Sequence, residues 1–219
     1  LKTGISDELT ALSKFKEMKE LAKTDGGARK SKITGIPKLD DANKAGTAQS
    51  KKCTLIVTEG DSAKTLAVAG LSVVGRDHYG VFPLRGKCKN VRDASVAQLT
   101  GNQEFNDLKK ILGLQQGKDY KDVSELRYGR LMIMTDADND GSHIKGLILN
   151  MIDYFWPSLL KLGFVVSMVT PIIKASRGNQ SKSFYTDSAF RAWYGTGQSG
   201  WRIKYYKGLV TSTSSEAKE

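Results

Sequence analysis

The sequence predicts an α/β fold with a parallel sheet of roughly four strands, helices on both faces of that sheet, and a small α+β extension at the C-terminal end. Two apolar runs typical of buried strands, 53–58 and 131–134, each lead into acidic residues and then into a helical pattern. Two further runs, 79–84 and 164–173, complete an alternation of strands and helices. Such an alternation is typical of parallel sheets with helical crossovers.

The composition indicates a folded protein with a polyanionic partner. The 219 residues are 39% hydrophobic and 26% charged, and the formal net charge is +11. A basic excess of this size favours nucleic acid as the partner. No apolar run approaches the roughly 18 residues of a membrane span, and no signal-peptide pattern is seen. We therefore expect neither membrane insertion nor secretion. Cys53 and Cys88 lie far apart without a CxxC motif, which argues against zinc and for a reducing compartment.

The N-terminal residues predict a helix and a linker ahead of the sheet. Leu9, Leu12 and Leu21 form a rough helical stripe within residues 6–23. Residues 24–32 are rich in glycine and lysine, so we expect a flexible basic linker. Residues 33–52 contain turn-forming and few apolar residues, which predicts an irregular connecting loop.

The first strand ends in an acid. Glu59 and Gly60 follow the run 53–58, and a helix of small residues begins soon after them. Gly60 permits a sharp turn, and Asp61 or Ser62 is expected to cap the helix. Glu59 is therefore predicted to lie at the carboxyl end of a strand, the edge at which open α/β sheets bind ligands.

A basic loop follows the strand predicted at 79–84. Arg85 and Lys87 flank Gly86, and both side chains donate well to phosphate oxygens. A solvated basic turn is the alternative. The glycine spacing excludes a Walker A phosphate loop. Residues 91–114 predict one or two helices, and the polar residues 115–124 predict a loosely ordered segment.

The strand at 131–134 runs into three aspartates at alternate positions: Asp136, Asp138 and Asp140. In an extended chain alternate side chains point the same way, and carboxylate oxygens suit Mg²⁺. An EF-hand is excluded because Leu147 occupies the position of the bidentate glutamate. An acidic turn is the plain alternative. If the two acid-tipped strands are parallel neighbours, Glu59 joins these aspartates in one metal site.

The remaining chain predicts structure more than chemistry. A helix at 141–162 is expected to break at Pro157, and His143 in its first turn is interpreted as a packing or phosphate-facing residue. A helix at 187–194 and a strand at 201–206 follow. Tyr205 and Tyr206 are interpreted as structural because no base or oxyanion donor is arranged beside them.

The two strand-end motifs, EGDSA at 59–63 and DxDxDG at 136–141, together resemble the TOPRIM domain of topoisomerases, bacterial-type primases and some nucleases. Further segments resemble the eukaryotic DNA topoisomerase II family, and they cover nearly all of the chain from about residue 33. These segments are GIPKLDDAN (35–43), GDSAKTLA (60–67), FPLRGK (82–87), GSHIKG (141–146), WPSLL (156–160) and YYKGL (205–209).

The resemblance implies an enzyme that cuts both strands of one duplex, passes a second duplex through, and reseals the break at the expense of ATP. It implies a homodimer in the nucleus that acts on double-stranded DNA and uses about two Mg²⁺ ions per site. By the same resemblance Glu59, Asp136 and Asp138 are catalytic metal ligands, Asp140 lies in or beside the second metal's shell, and Glu59 serves as general acid or base in religation. The DNA-contacting residues are then Arg85, Lys87 and Asn90.

The resemblance also divides the chain. Residues 1–32 correspond to the end of the preceding ATPase region, 33–52 to a connecting loop, 53–175 to the TOPRIM domain, and 176–219 to an insert and the start of the next cleavage segment. The chain begins without Met and looks like a fragment. The family's nucleophilic tyrosine and ATP site would lie outside it, so we expect the fragment alone to be inactive.

One position departs from the family pattern, because Val210 stands where the family has glycine. Two alternatives to the topoisomerase interpretation remain open at this point. One is another TOPRIM enzyme, a nuclease or primase, and the other is a non-catalytic DNA-binding module.

Overall fold

A computed structural model describes residues 5–26 and 30–206, apart from the side chain at position 5. Seven α-helices are seen in these residues: α1 (Ile5–Ala22), α2 (Gly60–Val74), α3 (Val96–Thr100), α4 (Gln103–Leu112), α5 (Asn139–Phe155), α6 (Pro157–Lys161) and α7 (Asp187–Tyr194), together with a short 3-10 helix at Ser50–Lys52. The strands are β1 (Thr54–Glu59), β2 (Tyr79–Leu84), β3 (Arg130–Met134), β4 (Val165–Ser167), β5 (Ile173–Arg177), β6 (Gln180–Phe184) and β7 (Arg202–Tyr205).

The larger sheet contains four parallel strands in the order β2-β1-β3-β4. β1 is central, and every residue from Thr54 to Thr58 is buried. This burial explains the apolar, β-branched sequence of the strand, since both faces of a parallel sheet are covered. Thr58 is in register with Met134 of β3, so the chain leaves both strands at the same edge of the sheet.

Helices cover both faces of this sheet, as predicted. On one face α2 places Ala67 and Leu71 against Ile56 and Met134. On the other face a larger core contains Trp156 and residues of α4, α5 and α6. Neighbouring residues of β1 therefore serve different cores, because successive side chains of a strand point to opposite faces. The predicted fold class, an α/β parallel sheet with a small C-terminal extension, is confirmed.

The C-terminal extension is a three-stranded antiparallel sheet in the order β6-β5-β7, with α7 packed on it. A small separate core contains Ile173, Ala175, Phe184 and Phe190. The side chain of Thr186 caps α7 by accepting from the backbone N–H of Ala189 at 3.2 Å.

The predicted fourth strand was too long. Only Val165–Ser167 pairs with β3, and the next strand residue, Ile173, belongs to the antiparallel sheet. The apolar run 164–173 thus contains parts of two sheets, joined by a connection in which Val169 is exposed. No helix within the described ranges is long and apolar enough to cross a bilayer.

Two segments expected to be loose are packed. Lys109 of α4 is fully buried, and its Nζ donates to the Leu21 carbonyl at 2.8 Å and to Thr24 Oγ1 at 2.9 Å. The same Nζ lies 2.6 Å from Asp25 Oδ1. Burial lowers the pKa of Lys109, and the contacts with Asp25 oppose that shift. Thr24 and Asp25 are therefore anchored rather than part of a flexible linker; residues 27–29 lie outside the described ranges.

The second such segment is 115–124. The indole N–H of Trp156 donates to the Gln115 carbonyl at 2.8 Å, and Tyr120 is buried. The backbone N–H of Gln115 donates to the hydroxyl of Tyr120 at 2.8 Å. Polar residues in this loop are used for internal hydrogen bonds, which composition alone does not distinguish from solvation.

Candidate metal centre and nucleic-acid interface

Acidic residues gather at the carboxyl edge of the parallel sheet. Glu59 is the last residue of β1, and Asp136 follows the end of β3 by two residues. The pKa of Glu59 is raised above its ordinary value, first by burial and then by the charges of Asp138 and Asp136. A hydrogen bond with the backbone of Asp136 opposes this shift in part. The structure thus brings together the acids that were predicted from two separate stretches of sequence.

Glu59 carries a polar atom without a partner. Its Oε2 is buried, and no hydrogen-bond donor among the described residues reaches it. A buried carboxylate oxygen in this state is costly unless a proton or a cation neutralises it. A carboxylate oxygen is the kind of ligand that a divalent cation prefers, and the charges of Asp138 and Asp136 act on the same carboxyl.

Asp138 has a structural task that the sequence interpretation missed. We expected alternate aspartates on an extended chain, but β3 ends at Met134 and α5 begins at Asn139. Asp138 is the N-cap of α5, and its Oδ1 accepts from the backbone N–H of Gly141 at 2.8 Å. A Cβ atom on Gly141 would lie 2.1 Å from the Asp136 carbonyl oxygen, so glycine permits this tight approach.

Asp140 is engaged by the basic loop. Its Oδ1 lies 2.8 Å from Nζ of Lys87, and this hydrogen bond and charge lower the pKa of Asp140, with a smaller effect from His143. Among the described residues, no three His, Cys, Asp or Glu side chains are arranged to enclose a metal ion as they stand. The positive group next to Asp140 in this structure is the ammonium of Lys87.

The predicted DNA-contacting residues differ in their surroundings. Arg85 and Lys87 have exposed side chains, and the backbone N–H of Arg85 donates to Glu104 of α4. Gly86 has a φ of 94°, a left-handed conformation that favours glycine. Asn90 instead makes hydrogen bonds within the protein. Its Oδ1 accepts from the side-chain amide of Asn150 at 2.7 Å and from the backbone N–H of Arg92 at 3.2 Å.

The expected cap of α2 was wrong. The helix begins at Gly60, which has a φ of 77°, and no side chain caps its start. Asp61 instead pairs with Lys38 from the preceding loop, with Nζ 2.9 Å from Oδ2. This contact and the charge of Lys38 lower the pKa of Asp61.

The tyrosines at the end of the described chain show no catalytic arrangement. Tyr205 lies in β7 and is exposed, and its ring packs edge-on against Phe190. The ring of Tyr206 lies 4.6 Å from Nζ of Lys204. Val210, the departure from the family pattern, lies outside the described residues.

Comparison with known families agrees with this architecture. Residues 54–169 match the Toprim domain, and residues 168–219 match the C-terminal associated domain of TOPRIM. The chain belongs to the Toprim family.

The resemblance to eukaryotic DNA topoisomerase II is also confirmed. The chain is 57% identical over 223 residues to DNA topoisomerase 2 of Pisum sativum, covering all of this chain and 15% of that protein. It is 56% identical over 221 residues to human DNA topoisomerase 2-beta, covering 99% of this chain and 14% of that protein. The chain thus spans about 15% of the length of such relatives.

A solved structure resembles this one closely. It is the DNA-binding, cleavage and re-ligation domain of Plasmodium falciparum topoisomerase II, with a TM-score of 0.83 and 57% sequence identity. The similarity covers 86% of this chain and 26% of the other.

Proposed function

We propose that this chain is the metal-binding part of the DNA cleavage and religation centre of an ATP-dependent type II DNA topoisomerase. Such an enzyme breaks both strands of one duplex, passes another duplex through the break, and reseals it. The observation that carries this proposal is the buried, unpartnered Oε2 of Glu59 beside Asp136 and Asp138. The names of the pea, human and Plasmodium relatives support it.

In this proposal Glu59, Asp136 and Asp138 hold the divalent metal, and Asp140 lies in or beside the shell of a second ion. The carboxylate oxygens of these residues suit Mg²⁺, of which we propose about two per site. A bound divalent ion stabilises charge on a phosphate and on its leaving oxygen. Asp138 then has two roles, because the carboxylate proposed as a metal ligand is also the N-cap of α5.

Glu59 is proposed as the general acid or base of religation. Its raised pKa makes the carboxyl hold a proton more firmly than an ordinary glutamate does. A carboxyl whose pKa is raised is better suited to giving and taking a proton near neutral pH than an ordinary glutamate is.

The DNA contacts are proposed at Arg85, Lys87 and Asn90, with the exposed cations meeting phosphate. We propose that the whole enzyme is a nuclear homodimer acting on double-stranded DNA, and that its ATP site and nucleophilic tyrosine lie outside this chain. The limits 1–32, 33–52, 53–175 and 176–219 are the proposed segments. Alone, the chain should bind metal and DNA without cutting DNA or hydrolysing ATP.

A chimera tests the proposal. In it this chain replaces the matching 223 residues of the pea relative, and relaxation of supercoiled DNA is followed with ATP and Mg²⁺. We expect relaxation by the chimera, and its loss on Asp136→Asn but not on Asp119→Asn, which removes an exposed carboxylate in the loop 115–124. Unchanged relaxation by the Asp136→Asn chimera would refute the proposal. DNA cutting by the isolated chain would favour a TOPRIM nuclease instead.

A further inference from the structure

The antiparallel sheet β6-β5-β7 has two unlike faces. One face is apolar and packs on α7 through Ile173, Ala175 and Phe184. Strand alternation and the pairing register place six polar residues on the opposite face. These are Lys174 and Ser176 of β5, Ser181 and Ser183 of β6, and Arg202 and Lys204 of β7. We call these six residues the cationic face.

One pair of like charges lies across two neighbouring strands of this face. Lys174 pairs in register with Lys204. Two residues further along the same two strands, Ser176 pairs with Arg202. Like charges directly across an antiparallel pair destabilise a sheet. Lys174, Arg202 and Lys204 thus concentrate positive charge on two neighbouring strands.

The cationic face is concave. A cleft of about 500 Å³ is lined by Lys174, Arg202 and Lys204, by Ser176 and Ser181, by Asn179 of the β5–β6 turn, and by Gln180 at the start of β6. None of the described residues that line it is acidic. Cationic groups together with hydroxyl and amide donors are the set that proteins use to bind phosphate oxygens.

The spacing of the cations favours a polymer of anions over a single one. Arg202 and Lys204 lie on the same strand two residues apart, which separates them by roughly 7 Å. Lys174 stands across from Lys204 on the neighbouring strand. Groups spread in this way meet successive anionic groups of a chain rather than one small ion.

The cationic face is continuous with the edge of the parallel sheet. Lys174 and Ser183 also line a groove that includes Met134 at the end of β3 and Met168 just after β4. The carboxyl end of β3 is the end from which the chain continues to Asp136. The cationic face therefore lies beside a mostly apolar groove that reaches the end of β3.

We propose that the cationic face binds the phosphate backbone of duplex DNA, as a second contact surface beside the loop 85–90. The choice of DNA rests on the proposed function, while the choice of a polyanion rests on the face itself. A chain with a formal net charge of +11 adds to the attraction.

The test measures binding of a short fluorescein-labelled duplex by fluorescence anisotropy across a salt series, using the full 219-residue chain. The variant is Arg202→Gln with Lys204→Gln. Its control is Lys121→Gln with Lys161→Gln, which removes the same charge from exposed positions outside the face. We expect the salt slope to fall by about 2 and the affinity to fall roughly tenfold in the first variant. The control should keep the slope of the unmodified chain.

Other outcomes overturn the proposal. Equal binding by the variant and its control would show that only overall charge matters. Competition by inorganic phosphate or poly-glutamate as effective as that by unlabelled duplex would assign the face to a small anion or an acidic protein. Arg202→Lys with Lys204→Arg keeps both charges and should bind like the unmodified chain; a loss of binding here would also contradict the proposal.

A separate measurement distinguishes this proposal from the proposed function. Mg²⁺ affinity, measured by calorimetry on the unmodified chain and on Asp136→Asn, tests the metal centre and leaves the cationic face intact. If Asp136→Asn leaves Mg²⁺ affinity unchanged while the Arg202 and Lys204 variant still loses DNA affinity, the cationic face binds DNA but the proposed metal centre is wrong.

Discussion

Lys87 and Asp140 are joined by an ion pair in which Nζ lies 2.8 Å from Oδ1. One partner belongs to the basic loop after β2 and the other to the first turn of α5. The sequence assigned them opposite tasks, phosphate contact and metal ligation. In this arrangement each neutralises the other, so binding of a phosphate by Lys87 and of a metal by Asp140 both require the pair to open.

Lys87→Met should have opposite effects on the two ligands. Duplex affinity should fall, with a salt slope lower by about 1. Divalent-metal affinity should rise by up to about fivefold, because an exposed ion pair is worth at most about 1 kcal/mol. Calorimetry with Mg²⁺ measures the second effect. Lys89→Met, in the same loop, should leave metal affinity unchanged, and a rise for both variants would contradict the assignment to Asp140.

Asp138 lets stability and metal binding be separated. Asp138→Asn keeps an N-cap acceptor for the Gly141 N–H, whereas Asp138→Ala removes it. We expect both variants to lose metal affinity, but only the alanine variant to lose about 1 kcal/mol of stability in urea unfolding with chelator present. Equal loss of stability in the two variants would show that the cap is not the source.

Glu59→Gln should remove a pH-dependent loss of stability. The folded-state pKa of Glu59 lies above its ordinary value of 4.5, so the folded chain holds this proton more tightly than the unfolded chain. Stability from this group is therefore full at low pH and is lost as pH rises through the raised pKa. In chelator, thermal unfolding should show the variant gaining stability relative to the unmodified chain between acid and neutral pH. A relative loss over that interval would contradict this sign.

Removal of the partner of Lys109 should be costly. Asp25→Ala leaves a fully buried ammonium without its counter-charge, which costs about 3–5 kcal/mol. Lys109→Met should cost less, because the Asp25 side chain retains 13% exposure and can be hydrated. Urea unfolding of both single variants and of the double variant measures the coupling. Additive effects would show that the two residues do not stabilise each other.

The sequence predicted the parallel sheet well because its strands are short apolar runs that end in turn residues. Glu59 and Asp136 could be assigned to one edge for the same reason, since parallel neighbours share their carboxyl end. Asp138 as N-cap was also predictable, because an aspartate immediately before a helical pattern is a usual start signal. We missed this N-cap because we interpreted the three aspartates as part of an extended strand.

Other features depend on contacts between distant parts of the chain. Lys109 stands next to Lys110 in the sequence, yet the first is buried and the second is exposed. Only the return of Thr24 and Asp25 to this point makes burial of the first lysine tolerable. Pairing of Lys38 with Asp61 likewise spans different elements, and no local pattern marks either partner.

Helix α4 is anchored at both ends. Near its C-terminal end Lys109 contacts Leu21 in the last turn of α1 and Thr24 just after it. In its first turn Glu104 accepts from the backbone N–H of Arg85 in the basic loop. Its ten residues form a strut roughly 15 Å long. A force that displaces the end of α1 must therefore bend this strut, break one of its anchors, or move the loop that carries Lys87.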